Sequence, residues 1–261
     1  TLGAGGELCT SAFARDLLEA NLVPLLPLGR ALQVEPVFPR GRELAERTSN
    51  AAFGVVDGLA LIGTQAEVQR SAAPDQLQQV LKELQSLTAK SSFGGSLTLV
   101  VGENGLDLAQ RNGFDPSLKV GNWMGPVLVA AAEAGVRDLL LFGYHGKLIK
   151  LAGGIFHTHH HLADGRLEVL TALAVDQGLA RAQLQQIRCA ASVEEAFQGL
   201  HPSEAERLGC ALAAAVEQRS QAYIGRYGNW PMRVGAGIFD RSRSVRWRGP
   251  VAEKRFFTLM D

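Results

Sequence analysis

The sequence predicts an α/β protein built on a parallel sheet, and three observations predict it. LTLVV at 97–101 and DLLLF at 138–142 are short and almost wholly apolar, the pattern of strands buried on both faces. Each run is followed by a glycine-bearing segment, GENG at 102–105 and GYHG at 143–146, and then by a helical pattern, the strand–loop–helix unit of a parallel layer. With 261 residues, 46% of them hydrophobic, the chain can bury a sizeable core, and its length suits one large or two small domains.

The elements follow in order. Residues 11–21 read as a helix with Phe13, Leu17, Leu18 and Leu22 on one face, stopped by Pro24 and Pro27. Leu32 to Phe38 alternate as a half-exposed strand would, and PRGRELAERTSN is a short basic helix or loop. FGVVDGLALIGT, punctuated by Gly54, Gly58 and Gly63, suits close-packed strands and turns. Residues 74–90 form a helix, with Pro74 near its start and Leu77, Val80, Leu81, Leu84 and Leu87 at helical spacing. VGNWMGPVLVAAAEAGV predicts a helix capped by Asn122 and closed by Gly135. Residues 166–188 and 194–227 are mostly helical, and RVGAGIFDRSRSVRWRG predicts one or two strands carrying arginines.

Composition narrows the classes of function. Lysine plus arginine equals aspartate plus glutamate, 26 of each, which gives no global argument for nucleic acid or a membrane as partner. The three cysteines, Cys9, Cys189 and Cys210, form no CxxC pair, so a reducing cytoplasm is the expected location. The apolar runs fall far short of a membrane span, and the opening residues lack a signal-peptide pattern.

Ligands of parallel α/β layers bind beyond the C-terminal ends of the strands, here at Gly102–Gly105 and Gly143–Lys147. A glycine turn before a helix lets backbone N–H groups approach an anion closely. In GYHGK, His145 offers proton handling and Lys147 a cation for a carboxylate. The run HTHHHLADGR holds His157, His159, His160 and His161, which raises a metal reading. Against it, consecutive histidines in an extended loop point in different directions, and no HExxH or cysteine companion exists. Asp164 and Arg166 beyond the run could act on a substrate or pair with each other. Trp123 and Met124 could wall an adenine or a sulfonium, but suit core packing better. The arginines at 40, 42 and 47 and at 241, 243, 246 and 248 are solvated charge unless the partner is polyanionic.

The order of the segments extends the reading. PRGRELAERTSNAAFGVVDGLALIGT, then VVGENG, then VGNWMGPVLVAAAEAGVRDLLLFGYHGKLIKLAGGIFHTHHHLADGRLEVL together resemble the CbiD family of cobalt-precorrin-5B C1-methyltransferases. GKLIKLAGGIF followed by a Thr-His pair and ADxR is the most specific part, and the resemblance runs over about residues 12–227. It implies a two-part arrangement: a Rossmann-like three-layer αβα domain at 93–229, and a smaller α+β domain at 1–92 that residues 230–261 could join. It also implies S-adenosylmethionine as methyl donor, a corrinoid substrate that carries the only cobalt, and no metal site in the protein.

On that resemblance the donor is expected at Gly102, Asn104, Gly105, Asn122 and Gly143. The acetate and propionate arms of the macrocycle are expected at Lys147, Lys150, Thr158, Arg166, Arg42 and Arg47. Proton handling falls to His145, His159 and Asp164. The chain departs from the family at His157 and His160, where Asn and Ser usually flank the Thr-His pair. The family's opening segment, rich in Thr, Gly and Ala around a cysteine, is not found before Thr1, so a chain lacking it is expected. The resemblance leaves room for a homo-oligomer or for transient contact with neighbouring pathway enzymes. Two other classes remain open: a metal-dependent hydrolase using His157, His159 and Asp164, and a non-catalytic corrinoid-binding protein.

Overall fold

The computed structural model describes residues 2–3, 8–46, 55–61, 74–101, 103–159 and 162–257. The chain divides into two compact units, Thr1–Arg70 and Ser71–Asp261.

The first unit is a small α+β assembly. Helix α1, Ala12–Leu22, is capped by Ser11, whose hydroxyl accepts the Ala14 N–H at 3.1 Å. Pro24 then sits in a 3-10 turn, Val23–Leu25, and α2 covers Gly41–Glu46. Strands β1, Leu2–Gly3, and β2, Val55–Asp57, pair antiparallel. Residues 32–38, expected as a strand, have no regular structure. Their alternation supplies one face, but no neighbouring strand among the described residues supplies a ladder for their backbone groups.

The second unit begins with α3, Pro74–Thr88, and continues through β3, Ser96–Val101, α4, Glu103–Arg111, β4, Ser117–Val120, and α5, Met124–Glu133. Strand β5, Asp138–Tyr144, leads into α6, His145–Ala152, and four further helices: α7, Arg166–Asp176, α8, Arg181–Cys189, α9, Val193–Gln198, and α10, Pro202–Ile224. The chain closes with β6, Arg233–Phe239, β7, Val245–Arg248, and α11, Pro250–Ala252, which runs into a π-helical turn at Glu253–Phe257.

Five strands form one sheet in the order β4-β3-β5-β6-β7, parallel except for β7. Strand periodicity sorts its side chains into two cores. Leu97, Leu99, Leu139, Leu141, Val234 and Ala236 meet α3, α5, α6 and α10 on one face. Val100, Leu140, Phe142 and Phe239 meet α4 and α11 on the other, making three αβα layers. Helix α5 ends at Gly135, whose φ of +81° is the left-handed geometry that closes a helix.

Two expectations are corrected here, and one strand is added that the sequence did not suggest. The tail strands do not join the smaller unit: β6 pairs with β5 along seven residues, from Asp138↔Arg233 to Tyr144↔Phe239, and β7 pairs with β6. Helix α3 belongs to the larger unit, because Leu84 is buried in its core, so the division falls near residue 70 and not 92. Strand β4 was not expected, since SLKV is short and half polar; it is an edge strand.

From β3 the chain passes through α4 to β4 on one side of the sheet, then crosses through α5 to β5 on the other. The direction of winding therefore reverses between β3 and β5. A crevice outside the ends of these two strands is the general consequence. Among the described residues no helix is long and apolar enough to cross a membrane.

Candidate functional site

At the reversal point β5 ends at Tyr144 and α6 starts at His145, so the expected glycine turn is absent: Gly143 lies in the strand and Gly146 in the helix. A Cβ on Gly143 would stand 3.2 Å from both Leu148 Cγ and Val101 Cβ, so close packing explains that glycine. Gly105 lies inside α4, where a Cβ would meet Val100 Cγ1 at 2.5 Å. These two expected donor positions are thus helix-to-sheet contacts. Asn104 lies in the first turn of α4, and Gly102 falls outside the described residues.

His145, expected to face a ligand, is 1% exposed. Its Nε2 lies 2.6 Å from Glu194 Oε2 on α9, and the ring is flanked by Phe197 and Trp247. Tyr144 packs on the same imidazole at 4.0 Å between centroids, and its hydroxyl donates to Glu194 at 3.4 Å. Burial, reinforced by the Glu194 charge, pushes the Tyr144 phenol up to about 12, so it remains a neutral hydroxyl.

Burial also pulls the His145 imidazole below its ordinary 6.5, against the raising effect of Glu194. The unfolded chain then binds a proton more readily than the folded one. The stability linked to His145 is complete above pH 6.5 and is lost as pH falls through the lower folded value. Urea midpoints at pH 7 and pH 5 test this: the drop should shrink in His145→Gln, and an unchanged drop would count against it.

A second cluster forms beyond β4. Asn122, expected as the helix cap, is not one; Trp123 occupies that position without a side-chain bond. Asn122 instead holds the histidine-bearing segment. Its carbonyl accepts the Thr158 N–H at 2.9 Å and its Oδ1 accepts the Thr158 hydroxyl at 3.1 Å. Beside this clasp Trp123 and His157 meet edge-to-face at 4.5 Å.

Lys150, expected to hold a carboxylate, is 3% exposed and donates to the carbonyls of Thr158 at 3.1 Å and Ala163 at 2.8 Å. It pins the segment between α6 and α7 from beneath. A cavity of about 480 Å³ opens next to Asn122, with Gln76, Glu83, Lys119 and Lys147 in its wall. Lys147 reaches solvent and has no ion-pair partner among the described residues, and partial desolvation in the cavity wall lowers its ammonium below 10.5.

Asp164 and Arg166 take the pairing alternative, with bidentate contacts of 2.8 and 2.6 Å. The guanidinium holds the Asp164 carboxyl down at about 2, which leaves it a poor proton donor or acceptor near neutrality. His159 lies 6.4 Å from His157, ring to ring. Among the described residues no three histidine, cysteine, aspartate or glutamate side chains are grouped to hold a metal ion, and His160 and His161 lie outside them. In the first unit Arg42 forms a bidentate pair with Asp57 at 2.8 and 3.2 Å, while Arg47 lies outside the described residues.

The structure thus brings Asn122, Thr158, Lys150 and Lys147 to one end of the sheet and buries His145. Sequence reasoning missed Glu194, the partner of both Tyr144 and His145, because 49 residues separate it from the histidine and no local pattern links them.

Comparison with known proteins agrees with this architecture. The family described as CbiD matches residues 3–70, and the CbiD C-terminal domain matches residues 157–250. A cobalt-precorrin-5B C(1)-methyltransferase of Parasynechococcus marenigrum (strain WH8102) is 73% identical over 260 residues, 100% of this chain and 73% of that protein. The proteins of that name in Synechococcus sp. (strain CC9605) and Prochlorococcus marinus (strain MIT 9313) are 73% and 61% identical, with 71% and 69% of their lengths covered. No solved structure matches. Matches at both ends of the sequence, and relatives this similar over its whole length, place the chain in the CbiD family of cobalt-precorrin-5B C(1)-methyltransferases.

Proposed function

We propose that the chain methylates C1 of cobalt-precorrin-5B, giving cobalt-precorrin-6A, with S-adenosylmethionine as donor. One observation carries the reading beyond the relatives' name: Asn122, Thr158, Lys147 and an open cavity converge beyond the sheet, where parallel α/β layers bind small molecules. The donor supplies a methyl group on a positively charged sulfur, and attack on it is an in-line displacement. Little acid–base chemistry is then asked of the protein, whose work is to align two molecules and exclude water.

The cavity suits the donor by its chemistry. The Gln76 amide can meet a purine edge, the Glu83 carboxylate a ribose diol, and the Lys147 ammonium a carboxylate. Arg166, steadied by Asp164, faces the acidic arms of the substrate. The Asn122–Thr158 clasp sets the position of the segment between these groups.

The test is methyl transfer from labelled donor to cobalt-precorrin-5B, read by mass spectrometry of the corrinoid. Asn122→Ala removes the side-chain half of the clasp and should lower kcat roughly 10- to 100-fold through misplacement. No label in the ring with the unaltered protein would overturn the proposal.

A further inference from the structure

The β6–β7 hairpin carries five arginines, four of them engaged, Arg233 with Asp138 at 3.0 Å among them. Arg243 pairs with Asp107 at 2.8 Å, Arg246 lies 3.9 Å from Asp240, and Arg248 approaches Glu253 at 3.5 Å while covering the Phe257 ring. Arg241 is exposed and has no hydrogen-bond or ion-pair partner among the described residues. Its place sets it apart. Tyr144↔Phe239 is the last pair of the β5–β6 ladder, so Arg241 stands two residues beyond the C-terminal end of β6, next to the end of β5. Its charge bears on both Tyr144 and His145, and that of Arg166 bears on Tyr144 as well.

Arg241 therefore stands at the strand end beside a half-buried aromatic ring that is braced by His145 and Glu194, and Arg166 carries a second positive charge toward that ring. A ring face with arginines beside it suits a flat, carboxylate-bearing ligand: the aromatic meets the plane and the guanidiniums hold the acids.

We infer that Arg241, with Arg166 and Tyr144, forms a carboxylate-recognising rim that seats the macrocycle, an inference that rests on the corrinoid-methylating reading above. Arg241 acts in binding and in selection for free acids, and takes no part in the transfer itself.

The experiment compares the unaltered chain, Arg241→Gln and Arg243→Gln. It measures kcat and KM for cobalt-precorrin-5B, and Kd for cobyrinic acid and for its fully methyl-esterified form. Arg241→Gln should raise KM and the cobyrinic acid Kd about tenfold, as loss of one charged contact does, and leave kcat and the ester's Kd unchanged. Arg243→Gln, whose partner is Asp107, should bind both as the unaltered chain does. If Arg241→Gln keeps the original KM and the original preference for the acid, the rim assignment is wrong while the methylating function stands. If the unaltered chain transfers no methyl group, the functional reading fails and this inference fails with it.

Discussion

Replacing Glu217 by alanine is expected to destabilise the larger unit by about 3–5 kcal/mol, the cost of stranding several buried donors. Glu217 lies on α10 and is 4% exposed. Its Oε1 accepts the N–H groups of Ala236 at 3.0 Å and Ala252 at 2.9 Å, and its Oε2 accepts that of Val251 at 3.0 Å. One carboxylate thus ties a long helix to strand β6 and to α11 on the opposite face of the sheet. Glu217→Gln keeps an oxygen for two of the three donors and should cost about 1–2 kcal/mol, near one lost bond. Urea unfolding at neutral pH separates the variants. An alanine variant within about 1 kcal/mol of the original would mean that the backbone groups find other partners.

Lys150→Met should cost about 2–4 kcal/mol, since it leaves the buried carbonyl of Thr158 and the part-buried one of Ala163 without their donor. Methionine fills much of the same volume, so the loss reports the hydrogen bonds more than a cavity. The effect on methyl transfer should exceed the effect on stability, because the released segment carries Thr158 away from Asn122. Hydrogen exchange should show Ile155 and Thr158, whose amides bond to Lys150 O and Asn122 O, opening first. Wild-type protection there, together with wild-type turnover, would show that the ammonium does not govern the segment.

The parts of the fold legible in the sequence were those with a local cause. Almost wholly apolar runs marked β3 and β5, and five leucine and valine positions at helical spacing marked α3. Strand β4 was illegible because Ser117 and Lys119 dilute its apolar content, and it becomes a strand through its ladder with β3. The placement of β6 was a matter of which edge remained free after the β4–β3–β5 order was set, which no periodicity records.

The same division holds at the site. Asp164 and Arg166 are two residues apart, and their pairing was among the alternatives read from the sequence. Lys150 bends its chain inward to carbonyls 8 and 13 residues away, so its charge, read as an anchor for substrate, serves the protein's own backbone. The links between His145 and Glu194 and between Asn122 and Thr158 span 49 and 36 residues and required the fold itself.

The two borders of the sheet carry a consequence for the behaviour of the protein in concentrated solution. An open strand is a template on which another chain can add, and long apolar borders invite polymerisation. Both borders here are four residues long: β4 turns Lys119 outward, and β7 alternates exposed Arg246 and Arg248 with buried Trp247. An incoming strand would have to lay its own side chains against these cations within a very short register. A fold with a strongly apolar central sheet thereby resists growing into fibres by edge addition.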